Sequence, residues 1–162
     1  MKIFFDMDGV LARYLFGEPY EALFRKRYFA DLPPQTCFIE AVKILFSKGY
    51  DVRILSAYLE DSKYALNEKK GWLREWLPTL PEEQWMLIPV GVPKGNYVTS
   101  PEDILIDDYG PNCKSWKEAG GKFFKVSAHA ADAKEESLRY ELVLHPDMTA
   151  AEVVEAIEKL IA

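Results

Sequence analysis

Histidine and cysteine are scarce in this 162-residue chain, with two of each. His129 and His145 lie in the C-terminal part, apart from every motif described below, and read as surface or packing residues. Cys37 and Cys113 are distant in sequence and lack metal-ligand spacing, so reduced thiols in a cytosol-like compartment are expected. No apolar run reaches the length needed to cross a membrane. Only Ile3-Phe4-Phe5 separates Met1-Lys2 from Asp6, too little for a signal peptide, so a cytoplasmic location is expected. Positive charge is in deficit: 20 Lys and Arg against 26 Asp and Glu leave a net charge of −6. Such a surface disfavours long nucleic acids and anionic membranes as partners. The chain has no internal repeat and no linker rich in Gly or Ser. What it does have is a hydrophobic share of 49% with four Trp, enough for a single compact domain over residues 1–162.

The apolar run Ile3-Phe4-Phe5 ends in Asp6-Met7-Asp8-Gly9. Short apolar runs read as buried strands, and ligands of open α/β sheets bind at the C-terminal tips of such strands. Gly9 supplies a turn that most residues resist. Two acids beside an apolar strand are costly unless compensated, and a hard cation is the usual partner. Taken alone, D-x-D-G is equally an acidic turn. Three further runs change the balance. Val52 to Leu55 leads into Ser56-Ala57, Met86 to Val90 is followed by Lys94, and Ile104-Leu105-Ile106 ends in Asp107-Asp108. Acid pair, hydroxyl, lysine and acid pair thus follow one another at strand tips, and together they supply what a phosphoryl group needs.

Strands are expected at 2–6, 51–55, 85–90, 103–107 and 122–126. Helical spacing covers 38–46, closed by Gly49, and 60–77, stopped by Pro78. Asn112 can cap a short helix ending at Gly120-Gly121 or, equally, touch substrate, and Thr149 to Glu152 has the form of a capping box for a terminal helix. Trp72, Trp76 and Trp116 read as core, and Asp132 to Glu136 as a solvated face. The alternation predicts an α/β fold, a Rossmann-like parallel sheet with helices on both faces.

In the order of these motifs the chain resembles the haloacid dehalogenase superfamily of phosphohydrolases, and within it the 5'(3')-deoxyribonucleotidase branch. The resemblance lies in FFDMDGVLA, in ILSAY with the later EKKGWLREWLP, and in DILIDDYGPNCKSW, covering residues 1–10 and 38–126. It implies a haloacid dehalogenase-like fold with a small helical cap at residues 11–37, inserted after strand 1. It also implies a Mg²⁺-dependent phosphomonoesterase, nucleotidase-like, acting on (deoxy)nucleoside monophosphates through an aspartyl phosphate. Carried over, Asp6 is the nucleophile and Asp8 the general acid and then base. Ser56, the Ala57 amide and Lys94 bind phosphate. The metal ligands are Asp6, the carbonyl of Asp8, and the Asp107-Asp108 pair, with Asp108 favoured as direct and Asp107 as water-mediated.

The 11–37 stretch is much shorter than the deoxyribonucleotidases' own cap. It carries Tyr14, Phe16, Tyr20, Phe24, Tyr28 and Phe29 with the basic cluster Arg25-Lys26-Arg27. An aromatic can stack on a base and an Arg can hold a phosphate; equally, the aromatics can fasten a helical hairpin onto the core. The expected partner is a small phosphorylated substrate, and a homodimer in which a neighbouring subunit closes the pocket is a further expectation. Two other readings stand beside the nucleotidase. One is a phosphatase of another small ester or a nucleic-acid end. The other is a non-enzymatic phospho-receiver switch, which Asp8 and the second acid pair after Lys94 disfavour.

Overall fold

The structure, a computed structural model, describes residues 1–15 and 17–162. Its strands are β1 (Ile3–Phe5), β2 (Val52–Tyr58), β3 (Trp85–Pro89), β4 (Ile104–Asp107), β5 (Lys122–Val126) and β6 (Val143–Leu144). Its α-helices are α1 (Thr36–Ser47), α2 (Ala65–Trp76), α3 (Gly110–Glu118), α4 (Ala130–Glu136) and α5 (Ala150–Ile161). The strands form one sheet in the order β3-β2-β1-β4-β5-β6, and every pairing is parallel.

Side chains alternate across each strand, and the two sets build two cores. Ile3, Phe5, Val52, Ile54, Ile104 and Ile106 pack with α1, α2 and α5 on one face. Phe4, Leu55 and Leu105 pack with Trp116 of α3 on the other, where the Phe4 and Trp116 rings meet edge-on at 5.1 Å. The expected fold class is therefore present, as are the core positions of Trp72 and Trp116; Trp76 is half-buried against the same core. α5 opens with the expected capping box: Thr149 Oγ1 accepts from the Glu152 N–H at 3.2 Å, and Glu152 accepts from the Thr149 N–H at 2.7 Å.

Four expectations are corrected. The helix expected from residue 60 begins at Ala65, because the Ser62 hydroxyl takes the N–H groups of Tyr64 and Ala65 into a local turn. Asn112 does not cap α3. Tyr109 holds the N-cap position, and Asn112, within the first turn, points its amide at Asp107. β2 runs on through Ser56 and Ala57 to Tyr58, so those residues lie within the strand. β6 and α4 were not anticipated; a two-residue strand carries no periodicity to detect.

Among its described residues the 11–37 stretch, expected to be a cap insertion, holds a 3-10 turn, Tyr20–Phe24, between irregular turns, rather than a helical hairpin. Gly17, Pro19 and Pro33-Pro34 break any longer helix. Phe16 lies outside the described residues. The insertion is fastened at several points. Ala12 bridges to Asp8 and Pro34, and Gln35 Nε2 donates to the carbonyls of Gly9 and Val10 at 3.0 and 2.8 Å. Trp72 Nε1 donates to the Leu32 carbonyl at 2.8 Å. Glu68 of α2 accepts from the backbone N–H groups of Arg27, Phe29 and Ala30, and Arg27 sits at φ 70°.

Candidate active site

Strand order reverses around β1, whose neighbours are β2 and β4, and this leaves a crevice at the C-terminal edge of the sheet. Asp6 continues β1 into that crevice, with its N–H still on the ladder to the Ile106 carbonyl at 3.0 Å. Oxygens of Asp6, Asp107 and Asp108 all lie within 4.8 Å of one another. Residues a hundred positions apart in sequence thus meet because their strands are hydrogen-bonded neighbours.

Lys94, in a 3-10 turn packed against α3, reaches this cluster fully buried. Its ammonium lies 3.1 Å from Asp6 Oδ1 and 2.6 Å from Asp107 Oδ2. Burial opposes the charge on Lys94, but Asp6 and Asp107 outweigh it and hold the ammonium above its ordinary range. Asp107 is saturated with donors: besides Lys94, it receives the Tyr109 N–H at 2.8 Å and the Asn112 amide at 3.1 and 3.2 Å. Burial nonetheless lifts it to about 6 against the pull of Lys94, with Asp6 adding to the rise. Asp108 makes no hydrogen bond or ion pair among the described residues. Burial, then the charges of Asp6 and Asp107, push it up to about 8.

Asp8 follows one turn later. Its Oδ2 receives the Lys69 amino group at 2.5 Å, whereas Oδ1 is buried with no partner among the described residues. Desolvation raises its pKa; Lys69 opposes the rise and Asp6 reinforces it. Gly9 takes φ +80°, and a Cβ there would lie 2.1 Å from Asp108 Oδ2. The turn between the acid pairs therefore has room for glycine alone.

An open cleft of about 1510 Å³ lies above the cluster, and Asp6, Asp8, Ala57, Lys94 and Asp108 line it. Ser56 is fully buried just behind that wall, its hydroxyl accepting from Lys69 at 3.2 Å. The insertion contributes Arg13, Tyr14, Tyr20 and Phe29 to the cleft, and Tyr109 flanks it from the α3 side. Of the aromatics expected in the cap, Phe29 is core while Tyr20 is largely exposed, so the stretch both packs and presents rings. The basic cluster is not on the cleft wall: Arg25 pairs with Glu18 and Arg27 with Asp31 on the outer surface. His129, expected apart from the motifs, stands on the cleft rim through the unanticipated α4. Glu136, within the acidic stretch expected to be solvated, pairs with the buried Lys125 at 3.0 Å.

Lys69 was missed altogether. Its signal was present: it falls four residues after Ala65 and three before Trp72, on the apolar stripe of α2, where a lysine has no business unless it is paired.

Sheet order, crevice and acid cluster together define a haloacid dehalogenase-like α/β fold. No family model matches the chain, and no curated protein does either. Solved structures do. D,D-heptose 1,7-bisphosphate phosphatase from B. bronchiseptica, complexed with magnesium and phosphate, superposes with a TM-score of 0.68 at 13% identity, over 98% of each chain. The same enzyme from Burkholderia thailandensis gives 0.63 at 12% identity over 99% of each chain. A haloacid dehalogenase-family enzyme from Bacteroides thetaiotaomicron, in complex with magnesium and inorganic phosphate, gives 0.50 at 13% identity over 78% of this chain and 93% of its own. At these identities the likeness establishes the fold.

Proposed function

We propose that this protein is a Mg²⁺-dependent phosphomonoesterase acting on small nucleotides, 5' or 3' (deoxy)nucleoside monophosphates, by way of an aspartyl phosphate. The observation that carries the reading is the meeting of Asp6, Asp107 and Asp108 within 4.8 Å beside the buried Lys94, at the floor of an open cleft.

The donor set fits magnesium. It is all oxygen, it gathers three carboxylates, and one of them, Asp108, has no donor among the described residues to compete with a cation. Asp6, the carbonyl of Asp8 and Asp108 are assigned as direct ligands, and the saturated Asp107 as a ligand through water. Neutralisation of the phosphoryl oxygens is what the ion supplies when bound.

This chain's residues account for the rest. An Asp6 carboxylate oxygen attacks phosphorus and forms the acyl phosphate. The ester P–O bond breaks, its electron pair leaves on the alkoxy oxygen, and Asp8 protonates that oxygen. Water then attacks phosphorus, Asp8 takes its proton, and the Asp6 carboxylate departs from inorganic phosphate. A raised carboxyl pKa suits the first role of Asp8, and its place on the cleft wall suits both. Lys94 spends two donors on Asp6 and Asp107, leaving its third for a phosphoryl oxygen. Ala57 on the cleft wall, with Ser56 behind it, is assigned the remaining phosphoryl oxygens. Tyr20 and Tyr109 on the rim present ring faces of the kind that stack on a base.

One observation favours a second reading, a sugar ester with another anionic group. Arg13 lines the cleft and makes no ion pair among the described residues. Phosphate release from a panel of nucleoside monophosphates, sugar phosphates and phosphorylated nucleic-acid ends decides between them. Highest kcat/KM on nucleotides is expected. Preference for sugar phosphates moves the assignment to the second reading, and unaltered hydrolysis by a folded Asp6→Asn variant overturns the mechanism.

A further inference from the structure

We infer that Lys69 is a positioning residue for the acid of this site: it ties Oδ2 of Asp8 to β2 and so fixes the place and plane of the carboxyl beside the cleft. The inference rests on the phosphomonoesterase reading and adds to it a residue from a helix that contributes no other group to the cleft.

Lys69 is fully buried on α2. Its amino group has three donors, and the structure shows three acceptors: Asp8 Oδ2 at 2.5 Å, the Ala57 carbonyl at 2.6 Å and Ser56 Oγ at 3.2 Å. Nothing remains to offer a phosphate, and Lys69 is not part of the cleft wall. It therefore works through Asp8. Two of its acceptors belong to β2, the strand beside β1, so the Asp8 carboxyl is fastened to rigid sheet rather than to its own turn. The Phe29 ring, 4.9 Å from the amino nitrogen, covers it.

This arrangement leaves Asp8 with two unlike oxygens. Oδ2 is fixed by a charge-assisted bond, and Oδ1 is buried without a partner. Proton donation needs a fixed carboxyl: the proton passes from Asp8 to the alkoxy oxygen as the P–O pair moves onto it, while Lys69 keeps the plane of the carboxyl. Lys94 serves the opposite face of the sheet and a different acid, so the two buried lysines divide the work. Lys94 neutralises the nucleophile, and Lys69 orients the acid.

A leaving-group series separates this role from a structural one. Aryl phosphates with acidic phenols depart without a proton, whereas alkyl phosphates need one. In Mg²⁺, Lys69→Met is expected to lose about 100-fold or more in kcat/KM, which reports leaving-group departure, on alkyl phosphates, and within about tenfold on p-nitrophenyl phosphate, the scale of a lost general acid. The slope of log kcat/KM against leaving-group pKa steepens accordingly. Lys69→Gln, which keeps a donor, guards against a misfolded Met variant and is expected to fall between. In an Asp8→Asn background, Lys69→Met is expected to add little. An equal loss on every ester, or full additivity with Asp8→Asn, overturns the assignment of Lys69 alone. A wild-type protein that hydrolyses no ester overturns the phosphomonoesterase reading, and the role of Lys69 with it.

Discussion

Asp107 and Asp108 are adjacent in sequence and unlike in circumstance. Asp107 is fully buried and every lone pair in reach of a donor is used, so it fixes Lys94 and the first turn of α3. Asp108 faces the cleft with no donor of its own, held against two other carboxyls. The position of Asp108 depends in turn on Gly9, whose missing side chain leaves room for its carboxylate. Gly9→Ala is therefore expected to act twice. The left-handed backbone costs about 1–2 kcal/mol in any residue with a Cβ, and the methyl group displaces Asp108. Mg²⁺ affinity, read from an activity titration, should weaken by about tenfold or more, as when the support of a ligand is lost. A variant with a lower Tm but an unchanged Mg²⁺ titration would show that Asp108 is not a ligand.

α2 serves two ends at once. Lys69 points to Asp8, and the preceding Glu68 accepts three backbone N–H groups of the 11–37 stretch. Glu68→Ala is expected to release that tether. The loss should be about 1–2 kcal/mol in denaturant unfolding, and faster amide exchange should be confined to Arg27, Phe29 and Ala30. Unchanged exchange at Phe29 would assign the fastening to Trp72 and Gln35 instead. The sequence displayed this helix only in part. Ala65, Trp72 and Leu73 give its apolar stripe, but hydrophobic periodicity says nothing about a lysine that is buried by pairing rather than by apolarity. Asp6, Lys94 and the Asp107-Asp108 pair were legible because each follows an apolar run, whereas Ser56, read as the end of one, lies within β2. The insertion was not legible, because its aromatics have no period and its path is set by bonds from α1 and α2. Asn112 was visible as a residue and misread, since helix caps and carboxylate donors draw on the same side chain.

At the scale of the whole molecule, the crevice is a reservoir of unfavourable charge that folding creates. Burial raises the carboxyls of Asp8, Asp107 and Asp108, the last from an ordinary 3.8 to about 8 and Asp107 to about 6. Between about pH 4 and pH 8 the folded protein therefore holds protons that the unfolded chain has already released. Stability of the metal-free protein is greatest at the acid end of that window and falls as pH rises through it. A divalent ion binds the deprotonated carboxylates, so it competes with those protons and stabilises the folded state by mass action, about 2.7 kcal/mol at a hundredfold excess over Kd. Thermal melts with chelator and with Mg²⁺, taken from pH 5.5 to pH 8, should diverge: Tm falls with pH in chelator, and the Mg²⁺-dependent gain in Tm grows. Asp108→Asn removes a carboxyl raised to about 8, so it should flatten the chelator series and shrink the Mg²⁺ gain together. Parallel melting curves across that range, with and without Mg²⁺, would mean that the acid cluster is not a cation site, and the case for Asp6 as a metal-assisted nucleophile would go with it.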